Sequence, residues 1–172
     1  MTFTPVTVGG LTIGNDRPLT VIAGPCQLEG ADHAQMIAGR MKEICDACGA
    51  QYVFKASYDK ANRTSLSGKR GPGIDDGLKL LQQVGKAIGV PTLTDVHTEA
   101  QCAPAAEAVD VLQIPAFLSR QTDLLVAAAE VTPMDRIDVA ERQLSELTNV
   151  MGIVLNRCRY NAGAHSYEGE YY

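Results

Sequence analysis

The stretch YVFKASYDKANRTSLSGKRGPG, residues 52–73, joins a short apolar strand to a long basic loop. The positive charges that follow the strand, set against the negative charge of Asp59, are Lys55, Lys60, Arg63, Lys69 and Arg70. The chain has a net charge of -5, so this segment departs from its background. Cations mixed with hydroxyl and amide donors suit phosphate and carboxylate groups. A solvated surface loop is the alternative, but a loop directly after an apolar strand favours an anion site.

The rest of the chain repeats this order of strand and helix. An N-terminal hairpin is predicted over residues 6–21, with its turn at Gly9-Gly10. Strands are then predicted over 19–23, 52–55, 91–95 and 109–114. The predicted helices cover 32–48 and 74–88, and two more begin near Thr98 and Gln121, with Pro104 able to start a further turn. Strict alternation implies parallel strands with right-handed crossovers, and the uninterrupted apolar run 19–23 predicts a first strand buried on both faces.

Polar side chains lie just after each predicted strand. They are Cys26, Glu29, Lys55, Lys60, Asp95, His97, Gln113 and Arg120. The carboxyl ends of the strands of a parallel barrel share one face, where active sites lie. An open doubly wound sheet is the alternative, but there is no glycine-rich turn after the first strand to support dinucleotide binding. The predicted fold class is therefore α/β, of the TIM (β/α)8-barrel type.

Composition narrows the class of protein. A chain of 172 residues with 45% hydrophobic and 20% charged residues indicates a globular domain with a real core. No apolar run reaches the ~20 residues of a membrane helix, and the acidic net charge argues against a nucleic-acid partner. Five cysteines without a visible secretory signal predict free thiols and a cytoplasmic location. Cys45 and Cys48 form a C-x-x-C in a predicted helix, where we expect both to face the core rather than to bind metal.

Five segments resemble a known enzyme family. They are IAGPCQLE (22–29), FKASYDKANRTS (54–65), RGPG (70–73), TDVH (94–97) and QIPAFLSRQTDLL (113–125). Together they resemble the 3-deoxy-D-manno-octulosonate 8-phosphate synthases, also called 2-dehydro-3-deoxyphosphooctonate aldolases, over about residues 6–129. The resemblance implies a (β/α)8 barrel, usually a homotetramer, that condenses phosphoenolpyruvate with arabinose 5-phosphate and releases phosphate in lipopolysaccharide biosynthesis. A related heptulosonate-phosphate (DAHP-type) synthase is the alternative; the KANRTS segment favours the octulosonate enzyme.

The resemblance also implies roles for individual residues. Phosphoenolpyruvate would contact Lys55, Ser57 and Lys60, and the backbone of Ala116 and Phe117 would lie against its phosphate. Arabinose 5-phosphate would be held by Asn62, Arg63 and Thr64, with Arg120 reaching toward the sugar phosphate of a neighbouring subunit. Asp95 and Gln113 would line the pocket, and the catalytic residues would be Lys60, Asn62 and Asp95. Cys26 matches a metal-ligand cysteine, which implies a divalent ion (Zn²⁺, Fe²⁺ or Mn²⁺), although the family's other ligands are absent from this chain; a thiolate favours Zn²⁺ or Fe²⁺ over Mg²⁺. Apart from the resemblance, His97 follows Asp95 at a strand end and could be a metal ligand or a base; we interpret it as a hydrogen-bonded structural residue.

The chain departs from this family after about residue 130. Residues 131–172 contain a predicted helix (135–148), a predicted strand (150–155) and a tyrosine-rich tail. They weakly resemble the C-terminal end of bacterial polysaccharide-biosynthesis tyrosine kinases, but no Walker motif supports kinase activity. The prediction is a barrel truncated to about its first half in residues 1–130, followed by an unrelated segment. Such a chain would be a catalytically incomplete synthase or a non-catalytic half-barrel that binds phosphorylated ligands, and its open sheet edges predict self-association.

Overall fold

The computed structural model describes residues 5–60 and 70–131, together with the backbone of 154–156. The strands are β1 (Val6–Val8), β2 (Leu11–Ile13), β3 (Thr20–Ala23), β4 (Gln51–Lys55), β5 (Thr92–Asp95), β6 (Val111–Gln113) and β7 (Val154–Asn156). The helices are α1 (Ala31–Ala47), α2 (Ile74–Ile88), α3 (Glu99–Ala108) and α4 (Thr122–Glu130), and a 3-10 turn covers Ala116–Leu118. Within these ranges no helix is long and apolar enough to cross a membrane.

The predicted N-terminal hairpin is confirmed. Strands β1 and β2 pair antiparallel around Gly9 and Gly10, whose φ angles of 49° and 88° are readily adopted by glycine. The apolar side chains of the hairpin pack on one face of the main sheet, against Val53, Leu93 and Val111. We call these three side chains the apolar inner layer. The hairpin therefore closes the sheet at the end opposite the polar strand termini.

The main sheet has the strand order β3-β4-β5-β6-β7, in which the first four strands are parallel and β7 is antiparallel to β6. Buried residues of all four helices join one core cluster, which also contains Tyr52 and Phe54 of β4. Because side chains alternate along a strand, Val53 and Lys55 lie on the opposite face. Four consecutive parallel strands with every described helix on one face are wound as a barrel, not as a doubly wound sheet. The α/β barrel-type prediction is confirmed for these residues.

Two helices show why the sequence forms these elements. Helix α2 buries Leu78, Leu81 and Val84 on one face and ends at Gly89, whose φ of 71° suits a left-handed C-cap. Helix α3 begins with the capping box predicted at Thr98. It continues to Ala108 with Pro104 inside the helix, so this proline does not start a separate turn.

The structure corrects three details of the sequence-based prediction. Strand β3 is not buried on both faces, because Ile22 is 47% exposed and β3 pairs within the described residues only with β4. Cys45 faces the core as expected, but Cys48 is exposed because it follows the last turn of α1. Strand β6 begins at Val111, two residues later than predicted. Strand β7 overlaps the predicted fifth strand, whereas the predicted helix 135–148 and the tyrosine-rich tail lie outside the described residues.

Candidate functional site

The carboxyl ends of β4 and β5 bring four polar side chains together: Lys55, Ser57, Asp95 and His97. We call this group the β4–β5 cluster. Strand alternation places Lys55 and Asp95 on the face of the sheet that also carries the apolar inner layer. The inner face of the sheet therefore changes from apolar to polar along the strand direction, which is the arrangement expected at the catalytic end of a barrel.

A continuous chain of hydrogen bonds connects the cluster. The ammonium of Lys55 donates to Ser57 Oγ at 3.1 Å, and its Nζ lies 3.6 Å from Asp95 Oδ1. The Ser57 hydroxyl in turn donates a hydrogen bond to Asp95 Oδ1. His97 Nε2 lies 2.7 Å from the other carboxylate oxygen, Asp95 Oδ2. Both oxygens of Asp95 are therefore engaged, and the position of each neighbour depends on this carboxylate.

The electrostatics of the cluster favour an ionised Asp95. Burial works to raise the pKa of Asp95, which is only 8% exposed. The hydrogen bonds from His97 and Ser57 and the charge of Lys55 outweigh burial and hold the pKa below its usual value. The same hydrogen bond to Asp95 raises the pKa of His97 against the opposing effect of burial. The cluster is thus a buried carboxylate with a cation on one side and a titratable imidazole on the other.

This arrangement can present a fixed positive charge to an anion. The side chain of Lys55 retains 25% exposure, whereas that of Asp95 retains 11%. A ligand can therefore approach the ammonium more readily than the carboxylate. Asp95 offsets part of the Lys55 charge, but it also holds the ammonium in one direction, and pre-organisation lowers the entropy cost of binding. A carboxylate or phosphate is the ligand chemistry that a lysine and a serine hydroxyl suit.

The loop after β3 supports Ser57 through its backbone. Gln27 and Ser57 form an isolated parallel bridge, and the Leu28 N–H donates to the Ser57 carbonyl at 2.9 Å. Glycine is required at position 24 because a Cβ there would meet the carbonyl oxygen of Lys55. The strand termini therefore approach each other more closely than side chains would permit.

Cys26, the predicted metal ligand, is exposed on this same loop. Among residues 5–60 and 70–131, no group of three or more His, Cys, Asp or Glu side chains is arranged so that it could hold a metal ion. A single thiolate does not make a metal site, so the described residues alone do not fit a bound divalent ion.

The long basic loop is tied at its base. The Lys60 N–H donates to the Arg70 carbonyl at 2.7 Å, and the Gly73 N–H donates to the Tyr58 carbonyl at 3.2 Å. The Arg70 guanidinium forms a two-pronged ion pair with Asp59, with Nε 2.7 Å from Oδ1. These contacts fix the backbone of Lys60, but within the described chain its ammonium makes no hydrogen bond to the cluster.

Three of the predicted sugar-phosphate residues, Asn62, Arg63 and Thr64, lie outside the described residues.

The predicted residues at the end of β6 and in the segment after it make no side-chain hydrogen bond to the cluster within the described chain. Gln113 is the β-sheet partner of Asp95, and its carbonyl accepts a hydrogen bond from the Val96 N–H at 3.0 Å. Ala116 and Phe117 form the exposed 3-10 turn, in which the Phe117 residue is 90% exposed. Arg120 is exposed just before α4. The Ser119 hydroxyl donates to the Ala116 carbonyl at 2.7 Å and so stabilises this turn.

The sequence prediction did not include His97 among the site residues. It is hydrogen-bonded, as expected, but its partner is the central carboxylate of the cluster. The available signal was its spacing, since residues two apart at the end of a strand share a face. Asp95 and His97 in the segment TDVH satisfy that spacing.

Comparisons with known proteins agree with this geometry. The sequence model of the DAHP synthetase I family matches residues 3–134, which include the whole β4–β5 cluster. A protein of Chelativorans sp. named 2-dehydro-3-deoxyphosphooctonate aldolase is 59% identical over 125 residues, covering 73% of this chain and 45% of that protein. A protein of the same name from Agrobacterium fabrum is 61% identical over 116 residues, covering 67% of this chain and 41% of its own.

A third relative of that name, from Geobacter sp. (strain M21), is 50% identical over 150 residues, which cover 86% of this chain and 54% of the relative. The chain spans about half the length of the curated relatives it matches. More than two thirds of its own length matches the family's sequence model. With consecutive parallel strands and a polar cluster at their carboxyl ends, the chain belongs to the DAHP synthetase I family.

Proposed function

We propose that this chain carries the phosphoenolpyruvate-binding part of a 3-deoxy-8-phosphooctulonate synthase. In that reaction phosphoenolpyruvate, arabinose 5-phosphate and water yield the eight-carbon sugar acid phosphate and inorganic phosphate, a step toward lipopolysaccharide. The observation that carries the proposal is the identity of 50–61% to proteins named 2-dehydro-3-deoxyphosphooctonate aldolase, in a region that contains the β4–β5 cluster. The segment KANRTS favours the octulosonate synthase over the related heptulosonate-phosphate synthase.

The chemistry explains the need for the cluster. Both substrates are anionic, so bringing their reacting carbons together requires positive charge and fixed orientation. Lys55 supplies a charge held in place by Asp95 and Ser57. We assign phosphoenolpyruvate to this charge and to Lys60, which begins the basic loop. Arg63 and its neighbours Asn62 and Thr64 would then take the sugar phosphate.

Other parts of the proposal rest on the family resemblance. Lys60, Asn62 and Asp95 would be catalytic, with Gln113, Arg120 and the backbone of Ala116 and Phe117 completing the substrate sites. Small phosphorylated molecules would be the partners, in a cytoplasmic homotetramer. A divalent ion at Cys26 stays a prediction, because the described residues supply no further ligands.

Calorimetric titration of the chain with phosphoenolpyruvate tests the proposal. The variant Lys55→Gln removes the charge but keeps a hydrogen-bond donor for Ser57, and we expect it to weaken binding about tenfold or more. The matched control is Lys79→Gln on α2, whose side chain is 70% exposed, and it should bind as the unchanged chain does. Absence of binding to the unchanged chain, or equal affinity of the Lys55→Gln variant, would contradict the proposal. Since the chain spans half of its relatives, binding decides this question more directly than turnover.

The choice of sugar phosphate separates the two synthase types. In the presence of phosphoenolpyruvate, we expect the chain to bind arabinose 5-phosphate in preference to erythrose 4-phosphate. The opposite preference would favour a heptulosonate-phosphate synthase. Binding of phosphoenolpyruvate with neither sugar would instead favour a half-barrel that binds phosphorylated ligands without joining them.

A further inference from the structure

His97 occupies a constrained position at the end of β5. Its side chain is 16% exposed, and its Nε2 lies 2.7 Å from Asp95 Oδ2. Its backbone N–H donates at 2.7 Å to Oε1 of Gln101, the residue that also forms the capping box of α3. The start of α3 therefore fixes the backbone from which the imidazole reaches Asp95. No substrate contact was predicted for this imidazole.

The two oxygens of Asp95 have separate partners. Oδ1 accepts from Ser57 and faces the ammonium of Lys55, whereas Oδ2 faces His97. A carboxylate is planar, so fixing Oδ2 fixes the direction of Oδ1 as well. Loss of the His97 contact would free Asp95 to rotate and would release the lysine from its orientation. The imidazole thus acts on the ligand-facing cation through one intermediate group.

Three segments surround His97, and two of them contribute charged groups. On its own strand the facing group is Asp95, and from the base of the basic loop Asp59 and Arg70 also act on it. Asp59 and Arg70 are themselves paired, so their effects on the imidazole oppose each other. The ring of Tyr58 lies 6.4 Å from that of His97, and burial raises the pKa of this phenol so that it stays neutral. From α3 the neighbour is the uncharged Gln101 amide, which leaves Asp95 as the dominant influence.

We propose that His97 is a positioning residue: it holds Asp95 so that Lys55 is directed at the anionic ligand, and its protonated form adds positive charge to the site. This inference takes its ligand, phosphoenolpyruvate, from the proposed function. Because the hydrogen bond to Asp95 raises the pKa of His97, the protonated form persists further into the neutral range than for an isolated imidazole. Ligand affinity should therefore fall as pH rises through that pKa.

The test compares the affinity for phosphoenolpyruvate of the unchanged chain and of His97→Gln between pH 6 and pH 8.5. The Gln amide can replace the Nε2 donor but does not titrate. The ratio of the two affinities removes the titration of the phosphate group of the ligand itself, which is common to both. We expect a ratio of about tenfold at low pH that falls to about one at high pH. His97→Leu, which donates no hydrogen bond, should be weaker than His97→Gln throughout, and His33→Gln on α1 is the matched control.

A second measurement judges the contact without any ligand. The chain contains three histidines, so histidine NMR titrations of the unchanged chain, His33→Gln and His97→Gln assign the His97 signal directly. The pKa of His97 should fall in Asp95→Asn. A ratio of affinities that does not vary with pH, or a His97 pKa unaffected by Asp95→Asn, would overturn the inference. If the unchanged chain binds no phosphoenolpyruvate, the proposed function fails and the positioning role fails with it, whereas a normal affinity with a flat ratio removes only the role of His97.

Discussion

The substitution Asp95→Asn should measure what the buried carboxylate contributes to the fold. The amide has nearly the same shape, so the change removes charge without leaving a cavity. It weakens the hydrogen bonds from Ser57 and His97 and leaves the Lys55 ammonium without its counter-charge. Breaking a buried ion pair costs about 3–5 kcal/mol, and the 25% exposure of the Lys55 side chain reduces that figure through solvation. We therefore expect a loss of about 2–3 kcal/mol in the free energy of unfolding near pH 5.5.

The dependence on pH follows from two opposite pKa shifts. The pKa of Asp95 is lowered in the folded state, so its contribution is present above the unfolded value of about 3.9 and is lost as pH falls through the folded value. The pKa of His97 is raised, so its contribution is complete below the unfolded value of about 6.5 and is lost as pH rises through the folded value. The difference between the two proteins should be largest between about pH 4 and pH 6.5. Above that range a part should remain, because Lys55 and Ser57 still contact the carboxylate.

Urea unfolding followed by circular dichroism supplies the measurement, since the chain contains no tryptophan. The control Asp16→Asn removes a carboxylate whose side chain is 76% exposed beside Arg17, and it should change stability by less than about 0.5 kcal/mol. Equal stability of Asp95→Asn and the unchanged chain at pH 5.5 would refute the reasoning. So would a difference that does not diminish as pH falls below the unfolded value of about 3.9 toward the lowered pKa of Asp95 in the folded state.

Two matched pairs of substitutions test the packing around the site. Tyr52→Phe removes a hydrogen bond to the Ala23 carbonyl (3.0 Å) and should lower the free energy of unfolding by about 1 kcal/mol. Tyr58→Phe removes a buried hydroxyl with no partner in the described chain and should be neutral or stabilising. Equal losses of stability in urea unfolding would contradict this. Gly77→Ala would place a methyl group against the Tyr58 side chain and should lower the free energy of unfolding by about 1–3 kcal/mol. Gly39→Ala has room for the methyl group and should stabilise α1 by about 0.5–1 kcal/mol. Thermal unfolding that ranks the two variants in the opposite order would contradict the packing of α2 against Tyr58.

The sequence predicted the order of the elements because each element has a local signal. The apolar stripe of α2, the capping box at Thr98 and the Gly9-Gly10 turn all depend on neighbouring residues, and all are confirmed. The exposure of Ile22 was missed because it depends on which strand pairs with β3, and pairing between strands distant in sequence has no local signal.

The candidate site shows the same division between local and non-local information. Strand ends identified Lys55 and Asp95 as neighbours, since polar residues after parallel strands meet at one edge. Family resemblance supplied the substrate roles of these residues, which spacing alone could not. Neither source predicted that Ser57 lies between the lysine and the aspartate as acceptor for one and donor to the other. That relation depends on side-chain rotamers, which are fixed only when the two strands are side by side.

The backbone around the cluster explains how a buried charge is tolerated. An isolated buried carboxylate would be protonated, but Asp95 is compensated by two hydrogen-bond donors and a cation that arrive from two different strands. The segment after β3 helps to fix one of those donors: Gly24 lets this segment lie against the Lys55 carbonyl, and the Leu28 N–H holds the Ser57 carbonyl. A mutation that separates β3 from β4 should therefore perturb the ionisation of Asp95 without touching it. The close packing of the strand ends is therefore itself part of the ligand site, because it keeps Asp95 ionised and so fixes the direction of the Lys55 ammonium.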